Sequence, residues 1–193
     1  MESPKWLLDD VTASEISWKD AHDTFPKLIK QLLGDVKKGA EIGVAYGSMS
    51  IALLSEFSEL YLSAIDPYIP YDSFDTMSRT IEEQNNVFEY TNKRLLNLFP
   101  KRAVLIRDYS VNASKLFQDG ELDFVFIDAC HQYEAVYSDI RNWYPKVKNG
   151  GLVCGHDYNT GWVGVTKAVN EFFSEIGKQI AQAEKGNIWV CKK

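Results

Sequence analysis

Two short runs hold the residues best able to do chemistry: Asp128 with His131, and His156 with Asp157. Each run follows an apolar stretch of strand length, at 122–127 and 152–154. If those stretches are neighbouring strands, two carboxylates meet at one end of a sheet. Left unpartnered, they repel and push a carboxyl pKa upward. A divalent cation removes the repulsion, and Mg²⁺ needs only one or two carboxylates while keeping several waters. Two carboxylates with two imidazoles also suit Mn²⁺, Fe²⁺ or Zn²⁺. A Lewis acid there holds a hydroxyl and lowers its pKa. His131, three residues after Asp128, is positioned to take the hydroxyl proton as general base, because histidine titrates near neutrality. The expected catalytic pair is therefore His131 and Asp128. The expected metal ligands are Asp128, His156 and Asp157. Plainer roles stay open: Asp128 contacts only a cofactor or caps the following helix, and His156 packs behind the site.

The elements that must position these groups alternate along the chain. Residues 40–44 read as a strand entering a glycine turn, and 48–57 as a helix. A second strand, 60–65, is stopped by Asp66-Pro67. The long polar stretch 74–98 has apolar residues loosely at helical spacing and ends before Pro100. A strand at 103–106 and a short helix at 111–117 follow. The run 122–127 is apolar at nearly every position, as in a parallel strand buried on both faces. A helix at 133–144 is stopped by Pro145, and Asn149-Gly150-Gly151 turns the chain into the strand 152–154. The helix 163–176 carries Val165, Ala168, Val169, Phe172 and Phe173 on one side. Two short strands, 179–183 and 187–191, read as a terminal hairpin. This order predicts an α/β domain with a mostly parallel sheet and helices on both faces. One domain is expected over 1–193, with an N-terminal helical segment at 1–36 and the core at 37–193. That segment is expected to cover the site or a sheet edge, and the strand 187–191 could serve as a dimer edge.

A cofactor signal lies upstream. Glu41-x-Gly43-x-x-x-Gly47-Ser48 follows the first strand and opens a helix. Glycines let the backbone approach a ligand, and a helix start offers free N–H groups to a carboxylate. The spacing is not G-x-G-x-x-G, which counts against a nicotinamide cofactor. Asp66 ends the second strand, where an acid can accept hydrogen bonds from ribose hydroxyls.

The run Phe124-Val-Phe-Ile-Asp128-Ala-Cys-His131-Gln-Tyr133-Glu134, then Asp139, Trp143 and Gly150-Gly151-Leu-Val-Cys-Gly155-His156-Asp157-Tyr158, resembles the class I S-adenosylmethionine-dependent methyltransferases. Within them it is similar to a small family with F-I-D-x-x-H-x-Y and G-G-x-x-x-x-H-D-Y patterns, akin to metal-dependent O-methyltransferases of sugars and antibiotics. The resemblance spans about 39–191. It implies a Rossmann-like fold with a seven-stranded, mostly parallel sheet ending in an antiparallel hairpin. It also implies S-adenosylmethionine as cofactor, with Glu41 and Gly43 at the methionine end, Asp66 on the ribose, and Tyr109 and Ser110 bordering the adenine. Gly47, Ser48 and Asp128 complete the expected cofactor contacts. Asp108 stands where relatives often have glycine; it either accepts from the adenine amino group or faces solvent. The catechol enzymes place an amide after the second acid, where this chain has Tyr158 and then Asn159. The third protein ligand is thus open between His156, Asn159 and water. The implied reaction is O-methylation of a sugar or other small hydroxylated acceptor, assisted by Mg²⁺ or Mn²⁺. The alternatives are a metal-independent methyltransferase acting on nitrogen or oxygen, and an inactive cofactor-binding scaffold.

Composition narrows the partners. The net charge is −6 and the basic residues cluster only in pairs, such as Lys37-Lys38 and Lys101-Arg102, which disfavours a nucleic-acid surface. No apolar run approaches the roughly 20 residues that span a bilayer, and 1–10 lacks the pattern of a signal peptide. Cys130, Cys154 and Cys191 form no C-x-x-C pair and are expected as reduced thiols. These features together predict a cytoplasmic protein, monomer or homodimer, with a small-molecule or glycan acceptor and neither membrane nor nucleic acid as partner. Trp18, Tyr46, Tyr68, Tyr71, Tyr133, Tyr158 and Trp162 are candidate ring-stacking residues. The segment 67–73 is a candidate substrate loop.

Overall fold

The strongest strand of the sequence lies at the centre of the molecule. The computed structural model describes residues 21–70, 80–183 and 187–193. In it β4 (Leu122–Ile127) lies between β1 (Lys38–Ile42) and β5 (Val147–Gly155), parallel to both. With β2 (Tyr61–Ile65), β3 (Ala103–Ile106), β6 (Ala181–Gln182) and β7 (Trp189–Lys192), the sheet has the order β3-β2-β1-β4-β5-β7-β6. Only β7 runs antiparallel to its neighbours.

Side chains of a strand alternate between faces, and β4 feeds two separate cores. Phe124 and Phe126 point toward α1 (Ala21–Leu33) and α2 (Ser48–Glu56), where Phe25, Leu28 and Leu53 are buried. Val125 and Ile127 point toward α5 (Tyr133–Trp143) and α6 (Val163–Glu175), against Ile140, Trp143, Val169 and Phe173. Both faces are therefore covered, which explains why 122–127 is apolar without alternation. The N-terminal segment contributes α1, whose Phe25 ring lies 4.2 Å from that of Phe126. This helix covers a sheet face rather than an edge.

Three expectations from the sequence change in substance. The helix expected over 74–98 is α3 (Ile81–Leu98), opened by Thr80, whose side chain accepts from the Glu83 N–H while Glu83 accepts from the Thr80 N–H. That capping box fixes the start; residues 74–79 lie outside the described residues. The turn at 149–151 is part of β5, as a bulge: Leu122 pairs with Val147, but Phe124 pairs with Leu152. Third, β7 is no free edge. It pairs with β5 on one side and β6 on the other, so the dimer-edge expectation for 187–191 fails. Between β3 and β4 the chain forms α4 (Ser110–Ala113) and a short 3-10 turn. No helix among the described residues is long and apolar enough to cross a membrane.

Candidate active site

The chain turns from one half of the sheet to the other between β1 and β4, and ligands bind at such a switch point, beyond the strand carboxyl ends. There the ladder continues one residue past each strand: the Asp128 N–H donates to Ile42 O at 2.8 Å, and the His156 N–H to Ile127 O at 3.1 Å. These bonds set Gly43, Asp128 and the pair His156–Asp157 side by side. Above them opens a cavity of about 500 Å³ lined by Glu41, Gly43, Ser48, Asp66, Asp128, His131, His156 and Asp157.

Asp128, His131 and Asp157 each offer a ligand atom within 4.8 Å of the others. His131 Nε2 lies 2.9 Å from Asp157 and 3.9 Å from Asp128. His156 Nδ1 lies 3.4 Å from Asp157 and 3.7 Å from Asp128. No lysine or arginine pairs with either acid among the described residues. Burial alone lowers the His131 pKa, but hydrogen bonds and charge from Asp128 and Asp157 push it up to about 10. Burial opposes and the same two acids raise His156. Burial pushes Asp157 up, yet hydrogen bonds from His131 and His156 hold it well below the usual carboxylate range. Asp157 also sits at φ 61, a left-handed conformation that aspartate tolerates better than most residues. The tightest group thus contains His131, which the spacing had cast as a base, with His156 just outside it.

The glycine loop is built for close approach. A Cβ on Gly43 would lie 1.9 Å from the Asp128 carbonyl oxygen, so only glycine lets β1 and β4 meet here. Asp66 holds the loop from beneath: it accepts from the N–H groups of Val44, Ala45 and Tyr68 at 2.8–3.0 Å. Glu41 is fully buried and accepts from the Ser50 hydroxyl; burial first, then the charges of Asp128 and Asp66, push its carboxyl up to about 8 against that bond. Ser48 lines the cavity at the start of α2. Gly47 does not. It turns the chain at φ 75 and faces Thr91.

A second cavity of about 320 Å³ adjoins the first, and Gly43 and Ala129 line both. Its walls include Ile65, Pro67, Ile69, Tyr109, Ser110 and Cys130. Asp108 is not among them; its Oδ1 accepts from the Tyr109 N–H and the Asn112 amide, closing the turn into α4.

Of the aromatic candidates, Tyr46 and Trp162 line the first cavity, and Trp162 stacks on His131 at 4.3 Å. Tyr68 and Tyr158 are buried instead, bonded to Ala45 O and Asn170. Tyr133 lies apart on α5 under Lys167. Trp18 and Tyr71 lie outside the described residues. Asn159 is not among the residues lining the first cavity, and its amide N–H donates to Gln182 at 2.7 Å. Pro67 and Ile69 of the expected substrate loop line the second cavity, and 71–73 lie outside the described residues.

Two contributors were not singled out from the sequence. His22, brought by α1, lines the first cavity, so all three histidines of the chain meet there. Gly164, in the first turn of α6, lets that helix touch the backbone of His131; a Cβ there would lie 2.5 Å from His131 O. His22 had no local signal, since only folding brings the three histidines together. Gly164 had none either.

A family described as methyltransferase domain matches residues 40–158, which contain every charged group of the first cavity except His22. A sequence search among curated proteins finds no match. Solved structures match over most of the chain. A candidate caffeoyl-CoA O-methyltransferase from Staphylococcus aureus superposes with a TM-score of 0.66 at 17% identity, covering 89% of this chain and 82% of its own. The O-methyltransferase NovP gives 0.66 at 16% identity, covering 88% and 79%. The SAH-bound Podospora anserina methyltransferase PaMTH1 gives 0.63 at 11% identity, covering 89% and 76%. At these identities the likeness is one of fold.

Proposed function

The chain belongs to the methyltransferase domain family, and on that footing we propose that this S-adenosylmethionine-dependent methyltransferase acts on a hydroxyl of a small acceptor, with a divalent cation held by Asp128 and Asp157. The observation that carries this reading is the trio Asp128, His131 and Asp157, whose ligand atoms lie within 4.8 Å of one another on the cavity floor. The donor set fits the group: two carboxylates with no lysine or arginine partner among the described residues, and imidazoles beside them. An imidazole in the set suits Mn²⁺ better than Mg²⁺. A cation there supplies Lewis acidity, lowering the pKa of an acceptor hydroxyl.

The chain's own groups do the rest. Glu41, Gly43 and Ser48 receive the methionine end of the cofactor, and Asp66 the ribose, while it keeps the loop closed. Tyr109 and Ser110 border the adenine in the second cavity. The shared wall at Gly43 and Ala129 supports one ligand running through both cavities. Of His131 and His156, the imidazole left off the cation takes the hydroxyl proton. Tyr46 and Trp162, both more than a third exposed, offer faces to a ring-shaped acceptor, and a sugar is the leading class.

One observation favours a metal-independent reaction: His131, its pKa pushed up to about 10 by the two acids, already sets a positive charge beside them. Methyl transfer from labelled S-adenosylmethionine to a panel of sugars and vicinal diols, with Mn²⁺ and with a chelator, separates the readings. Product only with the cation is expected. Product that survives chelation supports the metal-independent reading.

A further inference from the structure

The second cavity has mostly apolar walls and one carboxyl group, Asp139 of α5, which is 8% exposed. The family match and the mechanism above leave it unused. Its surroundings are directional. The Trp143 Nε1–H donates to Ser110 Oγ at 2.8 Å, and an indole can only donate. The Ser110 hydroxyl hydrogen is therefore free for another acceptor, and Ser110 and Asp139 line the same cavity. The Asp139 carboxylate lines that cavity with lone pairs to spare. No ion pair joins Asp139 among the described residues. Burial pushes its carboxyl up to about 6, with Ser110 opposing, so it remains an acceptor at neutral pH. A buried acceptor of this kind is costly until a donor meets it. Asp108, next to Tyr109 in the wall of this cavity, has its Oδ1 engaged in the turn before α4.

We propose that Asp139 selects the cofactor's base: with Ser110 it accepts from the 6-amino group of adenine and rejects a 6-oxo purine. The proposal rests on the reading above that puts adenine in the second cavity. A 6-amino group presents N–H donors to the acceptor-only carboxylate. A 6-oxo group presents a lone pair in the same place and leaves the carboxylate unmatched. A site built around one hydrogen-bonding sense rejects the opposite sense far more strongly than an apolar pocket rejects a change of size.

Calorimetric titration of the whole chain with S-adenosylhomocysteine and with S-inosylhomocysteine tests this. The wild type is expected to prefer the adenine compound by at least about 100-fold. Asp139→Asn, whose amide can donate to a 6-oxo group, is expected to narrow the preference to about tenfold or less. If that variant does not fold, Asp139→Ser makes the same comparison, since a hydroxyl donates or accepts. Equal affinities in the wild type overturn the proposal without any variant, and so does a folded variant that keeps the full preference. A folded wild type that binds neither compound removes the cofactor placement itself, and the proposal with it.

Discussion

The two ends of β4 carry the same kind of residue in opposite circumstances. At the amino end, Asp123 accepts from the backbone N–H groups of Lys37 and Lys38 and pairs with Lys148. Burial pushes its carboxyl up, but those partners bring it below the usual range. Nearby Glu121 and Asp119 pair with Lys38 and Lys146. At the carboxyl end, Asp128 and Asp157 face each other across neighbouring strands, with histidines as their only ion-pair partners among the described residues. Charge at the amino end is matched by permanent cations and holds the fold. Charge at the carboxyl end is matched by groups that can give up a proton, so it stays available to a cation or a substrate.

The glycines beside these ends sharpen the contrast most. Gly43→Ala drives a Cβ to 1.9 Å from the Asp128 carbonyl, and is expected to cost about 3 kcal/mol or more in stability and to abolish cofactor binding. Gly120→Ala, before β4, meets nothing closer than 4.0 Å. It bears only the penalty of its φ of 74, about 1 kcal/mol. Thermal melting and S-adenosylhomocysteine titration of the two variants check this; equal losses would break the comparison.

The acids come next. Asp157→Asn is expected to lower methyl transfer at least about 100-fold. Asp123→Asn should leave turnover within about twofold and cost roughly 1–2 kcal/mol in stability, for lost bonds to a charged acceptor. Single-turnover assays and denaturant melts separate the two effects.

The pH dependence follows with a smaller effect. His131 has its pKa raised from 6.5 to about 10, so its stabilisation is complete below about pH 6.5 and fades as pH rises through 10. Asp157 is lowered, so its share is complete above its unfolded pKa, near 4, and fades only in strong acid. The ligand-free protein should therefore lose melting temperature between pH 6.5 and 10, and His131→Gln should lose less over the same span. Identical profiles would show that the pair contributes nothing.

The smallest effect is expected at Glu41. Its carboxyl is raised to about 8, so keeping it protonated disfavours folding progressively from about pH 4.5 to 8. Glu41→Gln should raise the melting temperature of the ligand-free protein at pH 8 more than at pH 5, while weakening cofactor binding. A difference independent of pH contradicts this.

How far the sequence carried depended on how local each signal was. The run 122–127 and the alternation of strands and helices located the sheet, because continuous apolarity needs two covered faces. The glycine loop, Asp66 and the pairs at 128/131 and 156/157 were legible because strand ends in a parallel sheet converge. The partition of the two histidines was not, since it depends on side-chain direction: His131 turns toward Asp157 under Trp162. Tyr68 and Asn159 looked available but are occupied by bonds to Ala45 O and to Gln182, 23 residues away in both cases. His22 was invisible because α1 stands outside the repeating unit and reaches the cavity only through the packing of Phe25 on β4.

The most direct test is Mn²⁺ binding by electron paramagnetic resonance, which reads the loss of free-ion signal and needs no known acceptor. One Mn²⁺ per chain is expected, weakened at least about tenfold by Asp157→Asn and unchanged by Asp123→Asn. No binding by the folded wild type, or binding that Asp157→Asn leaves intact, would contradict the assignment of the carboxyl end of β4 as the metal-assisted site.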